Sequence, residues 1–140
     1  MEVLKIRPEP TRSVKVPLLT ELDEGSIPSD SSADTHYYPY TIKDGEHVFP
    51  RTFAFETCGA NIIDFIGAAH FSLWIIEQRR LFLNGDRVIV QMEDGRIFAG
   101  KAKILTYSSL IIRNNEGINC EVVDFSKVRF LGRLVREINA

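Results

Sequence analysis

From residue 52 onward the chain alternates apolar and polar residues in short runs. TFAFETC at 52–58 puts Phe53 and Phe55 on one side of an extended backbone and Thr52, Ala54 and Glu56 on the other. A repeat of two is the mark of a strand, because successive side chains leave opposite faces. LWIIEQ at 73–78, DRVIVQM at 86–92, RIFAGKAKIL at 96–105, SLIIRN at 109–114, CEVVDF at 120–125 and VRFLGRLVREI at 128–138 have the same β-branched texture. Between them stand NGD at 84–86, EDG at 93–95 and NNEG at 114–117, residues that accept the positive φ of hairpin turns. The pattern predicts a mostly β domain of barrel or sandwich type, with Trp74, Phe53, Phe55 and Phe130 in its core. Only ANIIDFIGAAHF at 60–71 has the spacing of a helical turn.

Upstream the texture differs. Residues 1–16 alternate weakly, and VPLLTEL at 16–22 is a short apolar segment ended by the acidic turn DEG. The next stretch, GSIPSDSSADTHYYPYTIKDGEHVFP, is dominated by Ser, Asp, Pro and Gly, and no period persists in it. It is expected to be an exposed, extended arm, residues 23–50, lying across the body. The division is therefore 1–51 for the N-terminal segment and arm and 52–140 for the β-rich body, one structural domain overall. Tyr37, Tyr38 and Tyr40 sit within the polar stretch. Three aromatics there call for a surface to dock on, whether the same chain, a second copy or a partner.

A length of 140 residues suits one core. Lys and Arg number 17 against 19 Asp and Glu, a net charge of −2, so no overall field draws a polyanion and direct nucleic-acid binding is not expected. No run approaches the roughly 20 apolar residues of a membrane span, and the opening MEVLKIRPEP lacks the apolar stretch of a signal peptide. The expected location is the cytoplasm, with no membrane partner. Cys58 and Cys120 have no CxxC companion, and His36, His47 and His70 form no HxxxH or HExxH pattern. Two half-buried thiols are expected, with no metal site. GxxxxGK[ST] and GxGxxG are absent, so no cofactor is expected.

Four stretches in order resemble the LexA/UmuD-type family of self-cleaving proteins, the S24 peptidase-like fold. VPLLTELDEGSIPSD is similar to the segment that holds the scissile bond before a glycine, with Gly25, Ile27, Pro28 and Ser29 in the places of the family's residues. FAFETCGANI resembles the strand and turn that end in Gly-Asp-Ser-Met. LWIIEQRRLFLNGDRVIVQMEDGRIFAGKAKIL resembles the family's central hairpin run, and VRFLGRLVREI its closing strand. The likeness runs from about residue 14 to 138. The opening Met shortly before VPLL, with no helix-turn-helix upstream, is closest to the UmuD branch, accessory factors of translesion DNA polymerases.

The resemblance implies a twisted β-barrel or sandwich like the LexA C-terminal domain, a serine nucleophile at a turn, and a neutral lysine on a neighbouring strand to take its proton. Aligned on Gly59, the serine position holds Asn61, which forms no acyl intermediate. The lysine falls at Lys101, or at Lys103 if the strand slips by two. The cleavage position also departs, because Glu24 stands before Gly25 where the family has a small residue, and burying a carboxylate there costs several kcal/mol. Neither Cys58, placed on the strand before the glycine, nor Ser72, with no recognised base partner, replaces the nucleophile. Asn61 also suits a turn for backbone reasons alone.

The reading that follows is a catalytically inactive UmuD-like interaction and regulatory protein of the SOS DNA-damage response and translesion synthesis. It is expected to be a homodimer pairing through the apolar closing strand, with a Y-family DNA polymerase subunit and a RecA filament as partners. Two alternatives stand beside it. One is a working S24 self-cleaving peptidase or a phage-repressor C-terminal domain. The other is an Sm-like or SH3-like RNA-binding barrel, which requires a closed five-stranded barrel within about residues 80–140.

Overall fold

A computed structural model of the chain describes residues 10–22, 27, 35–58, 60–114 and 116–139. These described residues form ten strands: β1 Thr11–Leu19, β2 Tyr37–Lys43, β3 Thr52–Glu56, β4 Ile62–Asp64, β5 Leu73–Gln78, β6 Arg87–Met92, β7 Ile97–Thr106, β8 Ser109–Arg113, β9 Cys120–Asp124 and β10 Val128–Ile138. Short 3-10 turns cover Ala68–His70 and Phe125–Lys127. The strands form one mixed sheet in the order β2-β1-β3-β5-β10-β6-β7-β8-β9, with β4 added beside β7. The fold is mostly β, as the alternation predicts, but the sheet is open rather than closed into a barrel.

The hairpins form where the turn residues stand. Gly95 adopts φ 92° between β6 and β7, and Gly117 adopts φ 71° between β8 and β9, a region that glycine enters without a Cβ clash. Alternation then divides the core. Phe53, Phe55, Trp74, Ile76, Ile89 and Phe130 face one side with Leu22 and Ile27, two residues from the segment after β1. The opposite side carries Val88, Val90, Phe98, Leu110, Ile112 and Val123 at one end of the sheet and Val16, Tyr40, Ile42 and Ile75 at the other. Because apolar clusters cover both faces, Ala54 is as buried as Phe53 and Phe55.

The expected arm is in part regular structure. Tyr37–Lys43 is strand β2, antiparallel to β1 from Thr11↔Lys43 to Pro17↔Tyr37. Strand β1 in turn runs parallel to β3 through Leu18↔Ala54. Residues on both sides of position 52 thus share one sheet. Tyr40 and Ile42 are buried, and Tyr38 packs on the same cluster, so Tyr38 and Tyr40 dock on their own chain. The Arg136 guanidinium lies 5.5 Å from the centre of the Tyr40 ring, within cation–π range.

The closing strand is not a free edge. β10 is bonded antiparallel to β5 on one side and β6 on the other. The apolar run that suggested a twin instead satisfies two neighbours at the centre of the sheet. Strands β10-β6-β7-β8-β9 wrap around the Val88–Phe98–Ile112 cluster. Among the described residues no ladder joins β9 to β10, and β10 is shared with β5, so these strands do not form the closed five-stranded barrel required by the RNA-binding reading. ANIIDFIGAAHF gives strand β4 and a 3-10 turn, not a regular helix. Among the described residues no helix is long and apolar enough to cross a membrane.

Candidate functional site

Strand β3 ends at Glu56 and the chain turns at once. The Ala60 N–H donates to the Thr57 carbonyl at 3.0 Å and closes the turn. Thr57 fixes the turn to the chain before β5, its N–H donating to the Ser72 carbonyl at 3.0 Å and its hydroxyl to the Phe71 carbonyl at 2.7 Å. Cys58 lies exposed in this turn rather than half-buried on the strand, and Cys120 is exposed on β9. Both thiols are more accessible than expected, one carried by a tight turn and the other by an edge strand. Gly59 lies outside the described residues.

Asn61 is exposed immediately before β4. Asp64, at the end of β4, accepts the Ile66 N–H at 2.9 Å and the Ala69 N–H at 2.6 Å. It shapes the loop to Ala68–His70, a role the sequence reading did not assign. The Ser72 hydroxyl donates to the Ile138 carbonyl at 3.4 Å, which ties the start of β5 to the end of β10.

β4 runs parallel to β7 with Ile62↔Ile97, Ile63↔Phe98 and Asp64↔Ala99. Continued by one residue, this register sets Asn61 beside Arg96. Lys101 stands five positions further along β7, about 16 Å at roughly 3.3 Å per residue, and Lys103 about 23 Å. Both lysines do share one face, with Ala102 buried on the other, and Lys101 is half-buried while Lys103 is exposed. Lys101 instead neighbours Arg87 on β6 and Arg113 on β8. The structure brings the two lysines together, but not to Asn61.

Glu24 and Gly25 lie outside the described residues, as do Pro28 and Ser29. Leu22 and Ile27, on either side of that bond, are buried at 2% and 6% exposure. Both pack in the cluster that contains Ile97 and Ala99, against which Ala60 and Ile62 also pack. A cleft of about 350 Å³ opens here, lined by Thr20, Glu21, Leu22, Phe55, Ala60, Gln91, Ile97 and Arg129. Gln91 and Arg129 were not flagged in the sequence, where each is one polar residue among many on alternating strands. The described lining offers hydroxyl, carboxylate, amide and guanidinium groups, suited to holding a polar chain segment, and contains no Ser, Cys, His or Lys.

At the nearby β6–β7 turn the Arg96 N–H and guanidinium bond Asp94, and the backbone bond first of all holds the Asp94 carboxyl below its usual range. Glu77 is buried and paired with Arg79 at 2.9 Å and Arg133 at 3.9 Å. His36, His47 and His70 are each exposed, and no group of three or more His, Cys, Asp or Glu placed to hold a metal occurs among the described residues. Neither the protein-family models nor the curated proteins compared with this chain include a match.

Proposed function

We propose that this chain is a catalytically silent, UmuD-like interaction module of the DNA-damage response, homodimeric and acting through a translesion polymerase subunit and the RecA filament. One observation carries the reading. Leu22 and Ile27, the described residues nearest the Glu24–Gly25 bond, belong to the buried cluster against which Ala60 and Ile62 pack, next to the turn where the family resemblance expects a nucleophile. That turn offers Asn61, with Lys101 five positions away along β7. A serine–lysine pair needs hydrogen-bond contact, and a separation of about 16 Å denies it. What remains is a surface suited to contacts rather than to cleavage.

The test incubates the full chain with RecA filaments on single-stranded DNA, then reads co-sedimentation and intact mass from the same sample. The expected result is a pellet containing uncut protein of 15.9 kDa. A fragment beginning at Gly25 would overturn the silence, and absence from the pellet would overturn the damage-response role. Asn61→Ser combined with Glu24→Ala should also stay uncut at alkaline pH, because neither change moves a lysine closer.

A further inference from the structure

Strand β9 ends the sheet with its hydrogen-bonding edge uncovered among the described residues. The Asn114 N–H donates to the Asn119 carbonyl at 3.1 Å, and the Phe125 N–H to the Ser108 carbonyl at 2.9 Å. Both bonds fit the register Arg113↔Cys120, Ile111↔Val122 and Ser109↔Asp124. Antiparallel pairs alternate between bonded and non-bonded rungs. Glu121 and Val123 therefore direct their backbone groups toward β8, and Cys120, Val122 and Asp124 direct theirs outward. An edge of this kind is normally blunted by proline, lysine or a bulge. CEVVD contains neither residue, and its central Val122 is 61% exposed.

The same face carries unbalanced charge. Lys101 and Arg113 are directly opposed across β7 and β8, a like-charge pairing that costs stability unless an anion approaches. Among the described residues no carboxylate pairs with Lys101, Lys103 or Arg113, whereas Arg87 on the same rung is neutralised by Glu137. The next strand position beyond Cys120 is where an anion would balance Arg113.

We propose that β9 pairs antiparallel with β9 of a second copy of this chain, about a two-fold axis through Val122. In that register Val122 faces its own counterpart, and Cys120 faces Asp124 of the other copy. The three outward residues form three rungs, each exchanging two backbone hydrogen bonds. Asp124 of one copy then flanks Arg113 of the other across the small Cys120 side chain, twice by symmetry. Ile111 and Val122 of both copies form one apolar row, since Ile111 faces Val122 within each. The Ser126 N–H bonds the Asp124 carboxylate and holds its titration below the usual range, so the group is charged at neutral pH. Sliding the pairing to centre on Glu121 would set two carboxylates face to face, and centring it on Val123 would set Asp124 beside Val122 instead of in line with Arg113, so the charge balance favours the Val122 register.

This interface deepens the homodimer element of the proposed reading and rests on that element alone. A contact of five residues per chain lies well below the standard interface size, so the association is weak and is sought at tens of micromolar. The test uses the full chain in a Cys58→Ser, Cys120→Ser background. Val122→Cys should give a covalent dimer under mild oxidation, because facing positions on paired strands fall within disulfide reach. Phe49→Cys in the same background, exposed at the other end of the sheet, should not. Sedimentation equilibrium should show a dimer for the unmodified chain. Val122→Lys, a change at an exposed side chain, should raise the dissociation constant about tenfold or more. Arg113→Glu should weaken the dimer, and adding Asp124→Lys should restore it. A monomer at tens of micromolar would overturn both the interface and the homodimer reading. A dimer that cross-links through Phe49→Cys and ignores Val122→Lys would overturn the β9 interface and leave the homodimer standing.

Discussion

The sheet has two ends, β2 and β9, and they are finished differently. On β2 the bonds from Leu18 N–H to the His36 carbonyl and from Asp44 N–H to the Pro10 carbonyl fix which residues face β1. Counted from those bonds, Tyr37, Pro39, Thr41 and Lys43 point their backbone groups outward. Pro39 has no N–H to offer there, and the Thr41 carbonyl accepts a bond from Arg136 at 3.4 Å. On β9 the three outward residues are Cys120, Val122 and Asp124, and no comparable cover is present among the described residues. An edge that is closed by proline and a guanidinium resists a further strand, and an edge lacking both invites one. The difference teaches that the end of a sheet is a choice made in two or three side chains, not a property of the strand.

The largest effect that would probe this comparison is in the core beneath each end. Ile112 on β8 is fully buried in one cluster with Val88, Phe98 and Leu110, and among the described residues β8 is the only strand that carries β9. Ile112→Ala should cost about 3 kcal/mol, within the range for a buried aliphatic cut to a methyl. It should also weaken the dimer. Ile42→Ala, in the cluster beneath β2, should cost stability on the same scale and leave the dimer unchanged. Urea unfolding followed by the single Trp74, with sedimentation alongside, reads both quantities. Equal damage to dimerisation by the two variants would show that the ends are not independent.

Much of the fold was legible and the site was not, for a common reason. β5 and β10 were readable end to end because each is rich in β-branched and other apolar residues at strand spacing, and such local texture is enough to fix a strand. β2 was not, because Pro39 and the polar residues around it break the period. Its strand character comes from Tyr40 and Ile42 packing on β1, β3 and β5. The place of β10 was misjudged because a sequence shows that FLGRLV is apolar on both faces but not that β5 and β6 will flank it. The separation of Asn61 from Lys101 depends on the parallel register of β4 with β7, a long-range pairing with no local signature. The cleft residues Gln91 and Arg129 are likewise brought together only by the sheet order.

A smaller effect is expected from reopening β2. Pro39→Thr restores one outward N–H at the centre of that edge, and one hydrogen bond contributes about 0.5–1.5 kcal/mol. Association through both ends then becomes available, so sedimentation at high concentration should reveal species larger than the dimer. A population that stops at the dimer would assign the closure of β2 to Arg136 and its bond to Thr41, not to Pro39.

The smallest effect concerns Tyr40, which helps to hold β2 on the sheet. Burial raises its phenol above the ordinary value, the Arg136 charge lowers it in part and Glu46 adds to the rise. In the unfolded chain the phenol loses its proton near pH 10, and in the folded protein only at higher pH. The stabilisation is therefore whole below about pH 10 and is lost as pH climbs through the folded value, because the unfolded state binds fewer protons there. Tyr40→Phe removes the titrating group and keeps the ring beneath Arg136. At neutral pH its stability should lie within about 1 kcal/mol of the parent, a conservative change at a packed position. Urea unfolding at a series of pH values from about 8 to 11 should show a shallower alkaline decline for the variant. An identical decline in both proteins would mean that the β2 end is held by its aliphatic packing and its bond to Arg136, with no contribution from the protonated phenol.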